Sequence, residues 1–184
     1  EQRDGYHIIR IPTLRTQPFR ASFLSMVIYV LSGLWAGLRL VRLFHPDVIH
    51  VHFAVPAGAL AWMLCKFTRV PYVLTAHLGD VPGGVPEKTG DWFRWIFPIT
   101  RWIWRDASAR VAVSEYTRAL ALKHYNEEVL VIPNGVEVDS AKPSPIRVNN
   151  PPVIAFAGRF MEQKSPLDVP RTLSALKDIP WTCV

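Results

Sequence analysis

At 184 residues and 49% hydrophobic content, the chain can bury one sizeable core but not two, so one domain is expected nearly whole and a second only in part. A formal net charge of +6 favours an anionic partner, whether nucleic acid, acidic lipid or a nucleotide-linked substrate, without choosing among them. Cys65 and Cys183 stand far apart, which excludes a disulfide framework and a metal-spaced pair and fits a reducing, cytosol-facing compartment.

The opening EQRDGYHIIR has neither an initiator Met nor a signal-peptide pattern, so Glu1 is not expected to be the biological start. Tyr6 to Ile11 is apolar enough for a strand. The break from Pro12 to Pro18 then precedes a long helical stretch from about Ala21 to Phe44. Eighteen uncharged residues separate Arg20 from Arg39, close to the roughly 20 apolar ones that a bilayer span needs. Against a span, Ser22, Ser25, Tyr29, Ser32, Ala36 and Arg39 recur at spacings of three and four. They lay small and polar positions along one stripe, which favours a mostly buried globular helix.

Beyond it strands alternate with helices. A strand at Asp47 to His52 is followed by a helix from about Pro56 to Phe67, a strand at Tyr72 to Ala76, and a Gly/Pro loop containing Val81 to Pro86. A helix from about Asp91 to Arg105, a strand at Ala109 to Val113, a helix at Glu115 to Tyr125 and a strand at Val129 to Ile132 continue the pattern. Near-continuous apolar strands between helices argue for an α/β fold with a parallel, doubly wound sheet. Ala141 to Pro152, AKPSPIRVNNPP, has four prolines and no apolar periodicity, as an interdomain linker would. The expected organisation is a first domain over 1–140, a linker over 141–152, and the start of a second domain over 153–184.

Several short patterns admit a functional and a structural reading. In DVIHVHF, His50 and His52 share one face of a strand; without a third ligand at metal spacing, local hydrogen bonding is favoured over zinc. In TAHLGD, His77 and Asp80 follow a buried strand at its carboxyl end, where open α/β sheets bind ligands. His77 there either donates to an anionic or hydroxyl group or stabilises its loop. Ser114 in VAVSEYTR is placed to cap a helix, and Asn134-Gly135 is a turn signal because both residues tolerate positive φ.

DWFRWIFPITRWIWR interleaves Trp92, Trp95, Trp102 and Trp104 with Arg101 and Arg105. That composition suits a membrane-water interface better than nucleic acid, with core packing as the alternative. Pro98 is expected to divide or end this helix. Finally, VIAFAGRFMEQK sets a strand against a loop carrying Gly158, Arg159 and Lys164, where cations and a helix N-terminus together suit a diphosphate. Either Ser165 caps a helix with Pro166 in its first turn, or the regular helix begins only near Pro170.

Taken in order, DVIHVHF, TAHLGD, VAVSEYTR, VIPNGVEV and AGRFMEQK resemble glycosyltransferase family 4, retaining enzymes of the GT-B fold with two facing Rossmann-like domains. The resemblance implies an acceptor domain and a truncated donor domain, incomplete at both ends, the first strand and its glycine-rich loop lying before Glu1. It implies transfer from a nucleotide diphosphate sugar to a polysaccharide or lipid-linked acceptor, with no metal and no nucleic acid. The setting would be cytoplasmic, peripheral on the inner face of an anionic membrane. Gly158, Arg159 and Lys164 would hold the donor diphosphate, the two cations acting in catalysis with His77. His52, His77, Asp80, Ser114, Asn134 and Gly135 would line the acceptor cleft. Ser165 departs from the family, which has glycine there, and the family's paired-glutamate segment would lie beyond Val184. A non-catalytic membrane-associated module and a sugar-nucleotide epimerase are the competing readings.

Overall fold

The computed structural model describes residues 2–3, 5–15, 21–85, 91–137, 149–158, 160, 164–176 and 180–183. The chain divides into two compact units, Glu1–Asn134 and Gly135–Val184.

In the first unit, β1 (Gln2–Arg3) and β2 (Tyr6–His7) pair antiparallel around Gly5, whose φ of 85° only glycine adopts without strain. The hairpin shortens the strand expected over Tyr6 to Ile11. The first long helix, α1, spans Phe23–Phe44; Ser22 caps it by accepting from Ser25 N at 3.2 Å, and left-handed His45 ends it. It is not the mostly buried helix expected from the sequence. Only Ser25 and Gly33 are buried, while Phe23, Leu24, Leu31, Trp35 and Leu43 are exposed. The small stripe is the packed face. A Cβ on Gly33 would come within 2.6 Å of Leu60, and one on Gly37 within 2.8 Å of Leu64, so at both positions the leucine methyls pack directly on the backbone of α1. Ser32 Oγ donates to Pro12 O at 2.8 Å on the same side. The apolar side faces outward, and by length and composition α1 is long enough to cross a bilayer.

The sheet follows. Strands β3 (Ile49–His52), β4 (Tyr72–Ala76), β5 (Ala109–Ala112) and β6 (Leu130–Val131) lie in that order, all parallel. They alternate with α2 (Ala59–Thr68), α3 (Asp91–Asp106) and α4 (Glu115–Ala121). Consecutive neighbours joined by right-handed crossovers place these helices on one face. Register puts Ile49, Val51, Tyr72, Leu74, Ala76 and Ala112 on that face, where they meet Ala61 of α2, Ile103 and Trp104 of α3 and Ala121 of α4. The opposite face carries His50, His52, Thr75 and Val111.

Helix α3 anchors this core and runs unbroken through Pro98, contrary to the expected break. Pro98 is exposed, so water can satisfy the carbonyl that loses its intrahelical donor. Phe97, Thr100 and Trp104, at intervals of three and four, form the inner face. Trp104 is fully buried and stacks on Tyr125 with ring centroids 4.3 Å apart, and Tyr125 Oη donates to Thr100 Oγ1 at 3.0 Å. Burial of Tyr125 raises its pKa well beyond the ordinary phenol value. At the C-terminal end of α3 the Arg110 guanidinium on β5 donates to the carbonyls of Trp104, Arg105 and Ala107. Asp106 gathers Trp62 Nε1 at 2.9 Å, Lys66 Nζ at 2.9 Å and Arg105 Nε at 2.8 Å. Burial alone would raise the Asp106 pKa, but these three donors outweigh it and hold the carboxylate well below its ordinary range.

The second unit holds β7 (Val153–Ile154) and β8 (Thr182–Cys183), parallel, with α5 (Asp168–Ala175) between them. Helix α5 begins at Asp168, so Pro170 falls in its first turn, where its missing N–H is not needed. Ser165 is not its side-chain cap. Leu167 occupies that place without a side-chain bond, and Asp168 N donates to the Ser165 carbonyl at 2.9 Å.

Candidate active site

Parallel strands end together, so the residues following β3, β4, β5 and β6 gather along one edge of the sheet. His52 closes β3, His77 follows β4, Ser114 follows β5, and Asn134 and Gly135 follow β6. Three of these expected cleft residues form one connected group. The backbone N–H groups of Ala54 and His77 each donate to the Asp80 carboxylate at 2.7 Å, to Oδ2 and Oδ1 respectively. Asp80 is buried at 5% exposure, and it fastens the end of β3 to the end of β4. Both carboxylate oxygens are committed to the backbone, which suits a positioning role and not proton transfer.

His77 closes this clamp from the other side. Its ring accepts from the Asp80 N–H in a reciprocal cap of the single turn Leu78–Asp80, and its Nε2 lies 3.1 Å from His52 Nδ1. A ring nitrogen that accepts carries no proton. His77 Nε2 and His52 Nδ1 share one hydrogen bond, its direction set by the tautomers of the two rings. Burial first, then the neighbouring His52, lower the His77 pKa below its ordinary value, which keeps the ring neutral at pH 7. His50 belongs to the same row: its Nε2 meets Thr75 Oγ1 at 2.8 Å and its ring lies 4.6 Å from that of His52. These are the local hydrogen bonds that the strand pattern favoured over metal ligation. Among the described residues no group of three His, Cys, Asp or Glu side chains is placed to hold a metal ion.

The remaining cleft candidates behave differently. Ser114 Oγ accepts from Thr117 N at 3.1 Å and pairs with Thr117 Oγ1 at 3.0 Å, so it is engaged in capping α4. Neither Asn134 nor Gly135 adopts a positive φ and residues 132–137 carry no turn, so the turn read from the dipeptide is not formed. Phe53, which the sequence does not single out, stacks on His77 at 4.4 Å.

In the second unit Gly158 and Lys164 are exposed, while Arg159 lies outside the described residues. Ser165 adopts φ 42°, the left-handed conformation, which explains why glycine suits this position.

The tryptophan-arginine segment splits by helical face. Trp95 at 86% exposure and Trp102 at 47% stand outward with Arg101 and Arg105, and Trp102 also stacks on Trp62 at 6.2 Å. Trp104 belongs to the core instead, because two positions along a helix turn a side chain about 200° away from Trp102. The Trp92 side chain lies outside the described residues.

Comparison with known proteins supplies the frame for this edge. Residues 2–140 match the family described as Glycosyltransferase Family 4. The chain is also similar to TuaC of Bacillus subtilis (strain 168), named as a teichuronic acid biosynthesis glycosyltransferase. The two are 26% identical over 149 residues, which is 76% of this chain and 37% of TuaC. The chain thus spans little more than a third of that relative's length.

Proposed function

The chain belongs to glycosyltransferase family 4, and from that membership we propose that the whole protein moves a sugar from a nucleotide diphosphate donor to a polysaccharide or lipid-linked acceptor with retention of configuration. The observation that carries this reading is the family match over residues 2–140. The His52–His77 pair at the carboxyl edge of the sheet supports it, and the naming of TuaC for teichuronic acid biosynthesis supports a polysaccharide acceptor.

In this reading the first unit, with the residues up to 140, is the acceptor domain, 141–152 is the linker, and 153–184 opens the donor domain. His77, neutral and held by Asp80, borders the transferred sugar and presents a hydrogen bond without adding charge. Gly158 lets the donor approach the backbone. Arg159 and Lys164 take up the charge that develops on the leaving diphosphate, so that basic side chains replace a metal ion. The protein works in the cytoplasm, peripherally on the inner face of an anionic membrane, through Trp95, Trp102, Arg101 and Arg105.

The test uses the whole protein and a panel of nucleotide diphosphate sugars, with slow transfer to water as the readout that needs no acceptor. Release of nucleotide diphosphate from one sugar, with the anomeric configuration of the product kept, is expected. Release from none sinks the proposal. Co-sedimentation with anionic vesicles is expected to fall when Trp95, Arg101, Trp102 and Arg105 are changed together to Ser. Trp104 stays in place because it is fully buried and its loss would destabilise the core.

A further inference from the structure

We infer that Phe53 is a specificity-determining residue on the acceptor side, its ring face forming the platform on which a pyranose lies. This inference rests on the glycosyl-transfer reading above and adds to it the class of group received: a sugar ring with one apolar face.

The backbone supplies the first observation. Phe53 has φ 72° and ψ 132°, outside the small left-handed well that residues other than glycine use. The left-handed residues that precede β3 and β4, His45 and Arg69, end helices α1 and α2, a standard use of that conformation. Phe53 ends no helix; it opens the π-helical turn Ala54–Gly58. A bulky side chain held in such a region is strained and persists only where its surroundings fix it. Phe53 N donates to Thr75 O at 3.0 Å and Gly58 N donates to Phe53 O at 2.9 Å, so both backbone groups are pinned. A Cβ on Gly58 would press to 3.1 Å from that same carbonyl.

The ring supplies the second. One face stacks on His77 at 4.4 Å with the planes 26° apart, while the residue is 44% exposed. An aromatic ring held at the sheet's carboxyl edge beside the His77–His52 hydrogen-bonded pair has the two parts that pyranose recognition requires. The axial C–H groups of a sugar pack on a π face, and its hydroxyls reach polar groups at the rim.

The experiment uses the whole protein and simple probes: the methyl β-glycosides of glucose, galactose and N-acetylglucosamine, followed by saturation-transfer NMR. Saturation is expected on the ring protons of one sugar face for at least one probe. Phe53→Leu should weaken that binding at least tenfold, and Phe53→Trp should keep it. Phe53→Gly, which relieves the backbone, should melt no lower than wild type yet bind no better than Phe53→Leu. Wild-type binding retained by Phe53→Leu or Phe53→Gly, or no binding of any probe to the wild type, overturns the inference. A fall of melting temperature and donor hydrolysis together in Phe53→Leu assigns the ring a merely structural role and overturns it equally. Absence of donor hydrolysis in the wild type fails the parent reading alone, because pyranoside binding is scored separately.

Discussion

The first unit takes Tyr72, Leu74, Ile103 and Trp104 completely out of solvent, whereas among the described residues of the second unit only Leu173 is buried and Phe160 stands 90% exposed. The same chain therefore presents its candidate residues on two kinds of support. His52, His77 and Asp80 are held by a filled core and a closed set of hydrogen bonds, so their roles can be argued from distances. Lys164 is exposed, in a unit where among the described residues only Leu173 is buried. The contrast shows that placing a charge and fixing a charge are separate tasks, solved by different amounts of sequence.

The largest effect that would test this contrast is in the core. Trp104→Ala is expected to cost about 3–5 kcal/mol in urea unfolding, whereas Phe160→Ala should change stability by less than about 0.5 kcal/mol. Equal losses would mean that the second unit has a core of its own. Next comes the leaving-group charge. In the whole protein, Lys164→Ala and Arg159→Ala should each lower kcat by roughly a hundredfold, or about 2.7 kcal/mol, with the melting temperature unchanged. An unaffected kcat returns both to the role of solvated surface cations.

Asp80→Asn keeps the shape of the clamp but removes its charge, so a loss of about 1–3 kcal/mol is expected in thermal unfolding, together with slower transfer as His77 loosens. Unchanged melting would detach the clamp from the fold. Smaller again is Ser165→Gly. It relieves a left-handed backbone but adds freedom to the unfolded chain, for a net gain of at most about 1 kcal/mol, read as slower amide exchange in α5. The smallest effect is that of pH on the histidine pair. His77 is lowered in the fold, so the unfolded chain binds the proton more readily. Stability is full above the ordinary histidine value and declines as pH falls from there through the lowered one. His77→Asn should flatten that part of the curve.

The strands and helices of the first unit were legible because their apolar runs are bounded by clear breaks, and the family resemblance holds over residues 2–140, which contain four of its five motifs. What escaped the sequence has particular causes. In α1 the stripe of small and polar residues was legible but the burial was not: Gly33 and Gly37 press against α2 while the apolar side stays exposed, since small residues allow close approach as readily as they allow hydration. Pro98 did not break α3 because Phe97, Thr100 and Trp104 hold both halves of the helix to the same core. Trp104 could have been separated from Trp95 and Trp102 by its helical angle alone. Phe53 left no signal beyond being aromatic, because a positive φ in a phenylalanine comes from tertiary context.

One feature of the first unit bears on how it assembles. The carbonyls at the end of α3 are collected by Arg110, a residue that belongs to the next strand. The stop signal for the helix is therefore written on β5 and acts only when that strand is in register beside β4. Helix end and strand entry become a single cooperative event, and the chain cannot lengthen α3 without withdrawing β5. A lysine at this position would keep the charge but, as a point donor, could not span three carbonyls, and it would let the two elements come apart at the seam.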